Sequence, residues 1–161
     1  MENETRYKKL YEDSSDALMT IEPPDWKFTT GNRAALKMFR AHDLREFVAA
    51  DPWKLSPEKQ PDGRFSNEKA KEMINTALKD GFSLFDWVHR RIDGENFPAN
   101  VLLTKMNMGG KSFVQATIRD VSEERRAAEL IKERDLAEKM NKFMVGREVA
   151  MAELKKENEE L

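Results

Sequence analysis

The sequence predicts an α+β domain followed by a long helix, and two stretches carry that expectation. Between Phe82 and Val121, three runs (Phe82–Asp93, Asn96–Met108 and Lys111–Val121) are joined by Asp93-Gly94 and Gly109-Gly110. Such turns need positive φ, which glycine supplies without strain, so the stretch reads as three consecutive antiparallel strands. From Ser122 to Leu161 the composition shifts to Glu, Lys, Arg, Ala and Met, with no proline and one glycine, and this reads as a long helix or two helices capped by Ser122.

The strand parity separates two faces. Phe85, Trp87, Phe97, Ala99, Val101, Leu103, Val114, Ala116 and Ile118 are all apolar and form the expected core face. The opposite face mixes Leu84, Val88, Leu102, Met106 and Phe113 with Asp86, Arg90, Asn100, Thr104, Gln115 and Arg119. That face holds enough large apolar groups to expect a terminal helix or a second subunit over it.

The elements before Phe82 follow from local signals. Residues 3–12 form a short amphipathic helix within an N-terminal segment 1–14, with Tyr7, Leu10 and Tyr11 on one side. Ala17–Glu22 is a strand broken by Pro23-Pro24-Asp25, and Trp26–Thr30 is the returning strand. Asn32 caps a helix over Arg33–Phe39, and Asp43 caps a second short helix within His42–Ala50. The proline-rich stretch Asp51–Gly63 is mostly loop, with Trp53 and Leu55 as its expected anchors. Ser66–Lys79 is a helix with Ala70, Met73, Ile74, Ala77 and Leu78 as its apolar stripe, a partial cap at Ser66 and a stop at Gly81.

Composition narrows the function. With 36% charged and 39% hydrophobic residues the chain has material for one modest core, and a net charge of −2 gives no general attraction to nucleic acid. Cysteine is absent, which excludes disulfides, thiolate catalysis and Cys-based zinc sites. Neither a signal-peptide pattern nor a membrane-spanning apolar run is seen, so a cytoplasmic location without membrane insertion is expected. His42 and His89 fall in different elements, and no phosphate loop, paired histidine ligands or nucleophile elbow accompanies them, so a non-catalytic domain is expected. His42 reads as an exposed loop residue and His89 as a hydrogen-bonded histidine on the core side of its strand.

In the long helix, one heptad register runs through Leu130, Ala137, Met140, Met144, Met151, Leu154, Asn158 and Leu161, interrupted by Glu133 and Arg147. A second uses Leu136, Met140, Phe143, Ala150, Leu154 and Leu161, and Gly146 weakens the helix by about 1 kcal/mol relative to alanine.

Several local runs stand out: Gly31-Asn32-Arg33-Ala34-Ala35, Leu55-Ser56-Pro57-Glu58, Gln60-Pro61-Asp62-Gly63-Arg64, Phe85-Asp86-Trp87, His89-Arg90-Arg91 with Asp93-Gly94, and Arg119-Asp120-Val121-Ser122. Together with the order of elements they resemble the PAS sensor domain of bacterial and archaeal signalling proteins. The last of the runs resembles the family's junction between the final strand and a signalling helix. The likeness covers about residues 5–125, with the domain itself at 15–121, and residues 122–161 resemble a coiled-coil signalling linker of sensor kinases.

The resemblance implies a five-stranded antiparallel sheet with helices on one face. It also implies a ligand site, where one exists, between the sheet and the helix at Ser66–Lys79. Its candidate lining is Phe85, Trp87, His89, Val101, Leu103, Val114 and Ala116. The cofactor is unknown: the flavin-photoadduct branch needs a cysteine, and the haem branch takes a histidine from the region where residues 56–80 have none. Non-covalent flavin, with Trp87 as a stacking partner, stays open. The almost wholly apolar core face shows no clear convergence of polar groups, so a filled core without ligand is favoured; any occupant is expected to be small and mostly apolar.

Asp120, Val121 and Ser122 are the expected signal-coupling residues, with Asp120 placed to pair with Arg125 or Arg126. The resemblance implies a sensory module that is homodimeric through the linker and the mixed sheet face, attached to an output domain, as in a sensor histidine kinase. A ligand-free dimerisation scaffold is the alternative.

Overall fold

The computed structural model describes residues 2–50 and 54–160. In chain order the elements are α1 (Glu2–Asp13), β1 (Ala17–Glu22), β2 (Lys27–Gly31), α2 (Arg33–Phe39), α3 (Leu44–Ala49), α4 (Ser66–Asp80), β3 (Phe82–Arg90), β4 (Asn96–Met108), β5 (Lys111–Asp120) and α5 (Ser122–Glu160). They form two compact units that divide after Ser122.

In the first unit, five strands make one antiparallel sheet in the order β2-β1-β5-β4-β3. The β4–β5 turn is the predicted two-residue hairpin: Met108 lies opposite Lys111, and Gly109 and Gly110 have φ of 59° and 75°. Positive φ at both central positions matches the twist of the flanking strands. β3 ends at Arg90 rather than running on to Asp93, because Arg91 N–H bonds Glu95 O and Gly94 N–H bonds Arg91 O, closing a turn.

The parity assignment holds. Trp87, Phe97, Ala99, Val101, Leu103, Val114, Ala116 and Ile118 are buried with Ala17, Met19 and Ile21 of β1, and Phe85 packs half-buried against them. Ala35, Phe39, Phe47, Ile74 and Ala77 bring α2, α3 and α4 onto this face. On the other face the pairings align Leu18, Thr117, Leu102 and Leu84 in one row across β1, β5, β4 and β3. Leu84 is 61% exposed and neighbouring Phe82 59%, so this row ends in apolar surface open to solvent.

Caps account for the helix starts. Asn32 is wholly buried, and its Oδ1 accepts from Ala35 N (3.0 Å) and Leu18 N (3.0 Å) while its Nδ2 donates to Tyr11 O (2.8 Å) and Asp16 O (2.9 Å). One amide thereby joins α1, β1 and α2, with every polar valence met. Asp43 Oδ1 caps α3 through Glu46 N at 2.8 Å. Two expected caps differ. Phe65 occupies the cap position of α4 without a side-chain bond, and Ser66 lies in the first turn, donating to Pro57 O and accepting from Gln60 Nε2 (2.9 Å). At α5, the amide of Ser122 is taken up by Asp120 Oδ1 at 2.9 Å, so Ser122 is the capped residue rather than the cap.

Leu55 is buried as expected, whereas Trp53 lies outside the described residues. The loop around Leu55 also covers the Val88–Arg90 end of the β3 edge. Arg90 N–H bonds Leu55 O at 2.8 Å, Gln60 Oε1 accepts from Val88 N at 2.8 Å, and Gln60 Nε2 donates to Val88 O at 3.1 Å. A side-chain amide here reproduces the bonding of a neighbouring strand.

The second unit begins at Glu123 and carries α5 beyond its first residue; the 39-residue helix runs unbroken through Gly146, which settles the choice between one helix and two. Leu130, Ile131, Leu136, Met140, Phe143, Met144, Val145, Val149, Met151 and Leu154 are each more than half exposed on it. Leu130, Met140, Met144, Met151 and Leu154 of the first expected register and Leu136, Met140, Phe143 and Leu154 of the second are among them, and Leu161 lies outside the described residues.

A close approach shapes the β2–α2 corner. A Cβ added at Gly31 would lie 2.9 Å from Phe47 Cε1. Phe47 is fully buried, with ring centroids of Phe28 and Phe39 at 5.2 and 5.5 Å, so it has little room to yield. Gly31→Ala is expected to lower the unfolding free energy by about 1–3 kcal/mol, seen as a lower urea midpoint with an unchanged slope.

Candidate functional site

The sheet and α4 do not close completely on each other. A cavity of about 130 Å³ remains between them. The sheet supplies Ile21, Phe28, Phe85, Trp87, His89, Val101, Leu103 and Ala116; α4 supplies Ser66, Asn67, Ala70, Lys71 and Ile74; Ser56 and the turn residues Asp25 and Trp26 complete the wall. Ala70, Ala116, Ser56 and Ser66 are too short to fill the space opposite the aromatic rings, which is the physical reason for the void.

Six of the seven predicted lining residues meet at this cavity: Phe85, Trp87, His89, Val101, Leu103 and Ala116. Val114 does not line it. It pairs with Ile21 and Lys105, nearer the β4–β5 hairpin than Ala116, and is wholly buried in the core. The favoured filled core is also corrected, since the space is there. Its polar groups escaped the sequence reading because Ser56 and Ser66 come from a loop and a helix start, outside the strand parity.

The aromatic wall is held by specific contacts. Trp87 Nε1 donates to Ser56 Oγ at 3.0 Å, Phe85 meets Trp87 edge-on at 5.7 Å, and Lys69 Nζ lies 5.9 Å from the Trp87 ring centroid. His89 is buried, with Nδ1 3.1 Å from Leu55 O. A carbonyl can only accept, so Nδ1 carries the proton and Nε2 of the neutral ring is a bare acceptor. Burial pushes the His89 pKa down to about 4, against the opposing effect of the Leu55 hydrogen bond. The ring stands edge-on to Phe39 with centroids 5.3 Å apart.

A second polar centre sits where β5 ends. Asp120 Oδ2 accepts from Arg91 Nη2 at 2.8 Å, while Oδ1 accepts from Ser122 N and from Ser122 Oγ at 2.5 Å. Arg91 is thus an arginine this carboxylate holds; the turn after β3 brings it there from 29 residues away. Arg91 also donates from Nη1 to Met38 O at 2.5 Å and lies 4.1 Å from the Phe97 ring centroid. Its Nε is 3.5 Å from Glu95 Oε1, close enough for charge attraction without hydrogen-bond geometry. Burial disfavours ionisation of Asp120, but hydrogen bonds from Ser122 and Arg91 outweigh it and hold the carboxyl below its ordinary range. Val121 bonds through its amide to Pro98 O at 3.1 Å, tying the end of the sheet to β4.

His42 is exposed beside α3, as expected. Among the described residues no cluster of three or more His, Asp or Glu could hold a metal ion, and no helix is long and apolar enough to cross a membrane.

A five-stranded antiparallel sheet with helices packed on one face and a long C-terminal helix is the PAS fold. No protein-family model matches the sequence, and no curated protein matches it. Solved structures do match. A PAS domain from a two-component sensor histidine kinase is similar at 15% identity with a TM-score of 0.58, covering 74% of this chain and 97% of that one. The PAS domain of an HTR-like protein from Haloarcula marismortui reaches 22% identity and 0.57, covering 74% and 92%. The PAS domain of a LuxR-family transcriptional regulator from Burkholderia thailandensis, solved in complex with ethanol, reaches 18% and 0.56, covering 72% and 97%. The chain therefore has the PAS fold.

Two measurements check the site. Between pH 6.5 and about 4 the unfolded His89 takes up a proton that the folded one refuses, so stability falls as pH falls through this window. The loss is expected to total about 3 kcal/mol, and pH-dependent urea unfolding of His89→Leu should be flatter above pH 4.5 than that of the wild type. Asp120→Ala leaves the Arg91 charge without its nearest carboxylate; unfolding is expected to cost about 1–3 kcal/mol less, with coupling between the two positions in a double-mutant cycle with Arg91→Met.

Proposed function

We propose that this chain is a non-catalytic sensory module of a cytoplasmic signal-transduction protein. A molecule held in the cavity between α4 and the sheet sets the state of β5, and the Arg91–Asp120–Ser122 junction hands that state to α5. The observation that carries the reading is the cavity on the core face of β3, β4 and β5, the last of which continues into α5. The kinase-derived neighbour supports a sensor histidine kinase as the parent, and the ethanol complex of another neighbour supports a small occupant.

A homodimer goes with this reading. The exposed apolar residues of α5 and the open row ending at Leu84 are the surfaces it would cover. A ligand-free dimerisation scaffold is the second reading, favoured by the apolar character of the wall.

Native mass spectrometry of the freshly purified chain separates them. A dimer carrying extra mass is the expected outcome. A dimer at bare mass supports the scaffold, and a bare monomer removes the dimer from either reading.

A further inference from the structure

We infer that the cavity takes a neutral, single-ring molecule bearing one O–H or N–H donor, a phenol-class compound, with that donor bonded to Nε2 of His89. This rests on the sensory reading above and names the chemistry of its ligand.

Size sets the first limit. The cavity measures about 130 Å³, and an apolar cavity of about 150 Å³ is known to admit benzene. One six-membered ring is therefore the scale of the occupant. The wall sets the second. Phe85, Trp87, Val101 and Leu103 present ring faces and methyl groups, so the body of the molecule is apolar. The charged lining residues Asp25 and Lys71 are both solvent-exposed, so neither compensates a charge carried deep inside.

The third limit comes from His89. It lines the cavity, and its Nε2 is buried with no hydrogen-bond partner among the described residues. With Nδ1 committed to Leu55 O, Nε2 is an acceptor. A buried acceptor left unmet is costly, and a ligand donor is what relieves it. The imidazole stays neutral near pH 7, consistent with its lowered pKa, so it calls for a neutral donor and not for an anion. Ser56 Oγ, already accepting from Trp87 Nε1, is a further polar group on the wall.

Phenol and toluene are the probes, being nearly equal in shape and differing in the donor. Calorimetric titration of the whole chain and of His89→Leu yields the phenol-to-toluene affinity ratio in each, and comparing the ratios cancels the difference in hydration of the two compounds. The ratio is expected to fall about tenfold in His89→Leu. In wild-type protein with ¹⁵N-labelled imidazole, the Nε2 resonance is expected to move on adding phenol and to stay in place with toluene; this readout stands even where the variant fails to fold. Binding of both compounds with an unchanged ratio and an unmoved Nε2 resonance overturns the inference while leaving the cavity as a sensory site. Binding of neither overturns the inference, and the sensory reading then stands or falls on the retained mass seen by native mass spectrometry.

Discussion

The guanidinium of Arg91 is the charge around which the domain closes. Its side chain is 10% exposed, and the charge is tolerated because its neighbours meet it: a carboxylate from the end of β5, a carbonyl from α2, Glu95 of its own turn and the face of Phe97. Removing a buried cation from water costs several kcal/mol unless its partners are well placed. Those partners come from three separate parts of the chain, so none of the three can shift without exposing a deficit at the others. The same carboxylate that meets Arg91 also takes up the first amide of α5, which makes the last residues of the sheet and the first residue of the helix parts of one electrostatic arrangement.

The core around this arrangement is divided in quality. Toward α2 and α3, aromatic rings fill the space: Phe28, Phe39, Phe47 and Phe97 stand within 5.2–6.3 Å of one another in successive pairs. Toward α4 the opposing residues include the short side chains of Ser66 and Ala70, and the packing stops short. His89 stands at the boundary, its ring against Phe39 on one side and the void on the other. A well-packed half thus supplies the rigidity against which a loosely packed half can hold a guest.

The strands, their turns and the division of the sheet into two faces were legible because period-two alternation and Gly-Gly or Asp-Gly turns are local signals. So were the Asn32 and Asp43 caps, each three residues from the amide it serves. The candidate lining was legible to the extent that parity governs it, which explains why six of its residues border the cavity. Val114 shares that parity and differs only in how far along the strand it lies, and depth along a strand depends on what covers it. The contacts that cross the chain were not legible. The pairing of Arg91 with Asp120 spans 29 residues and competes with nearer arginines in the sequence. The role of Gln60 was equally hidden, although an amide side chain inside a proline-rich loop was the one signal that could have pointed to it.

That glutamine decides how the domain can meet other chains. Val88 offers an amide and a carbonyl on the free side of β3, and both are already spoken for by the Gln60 side chain, with Leu55 taking the next amide. A strand from elsewhere would have to evict a buried residue before it could pair with Val88. Edge pairing, the usual first step toward β-aggregates, is thus obstructed at the Val88–Arg90 end of β3 by Gln60 and Leu55.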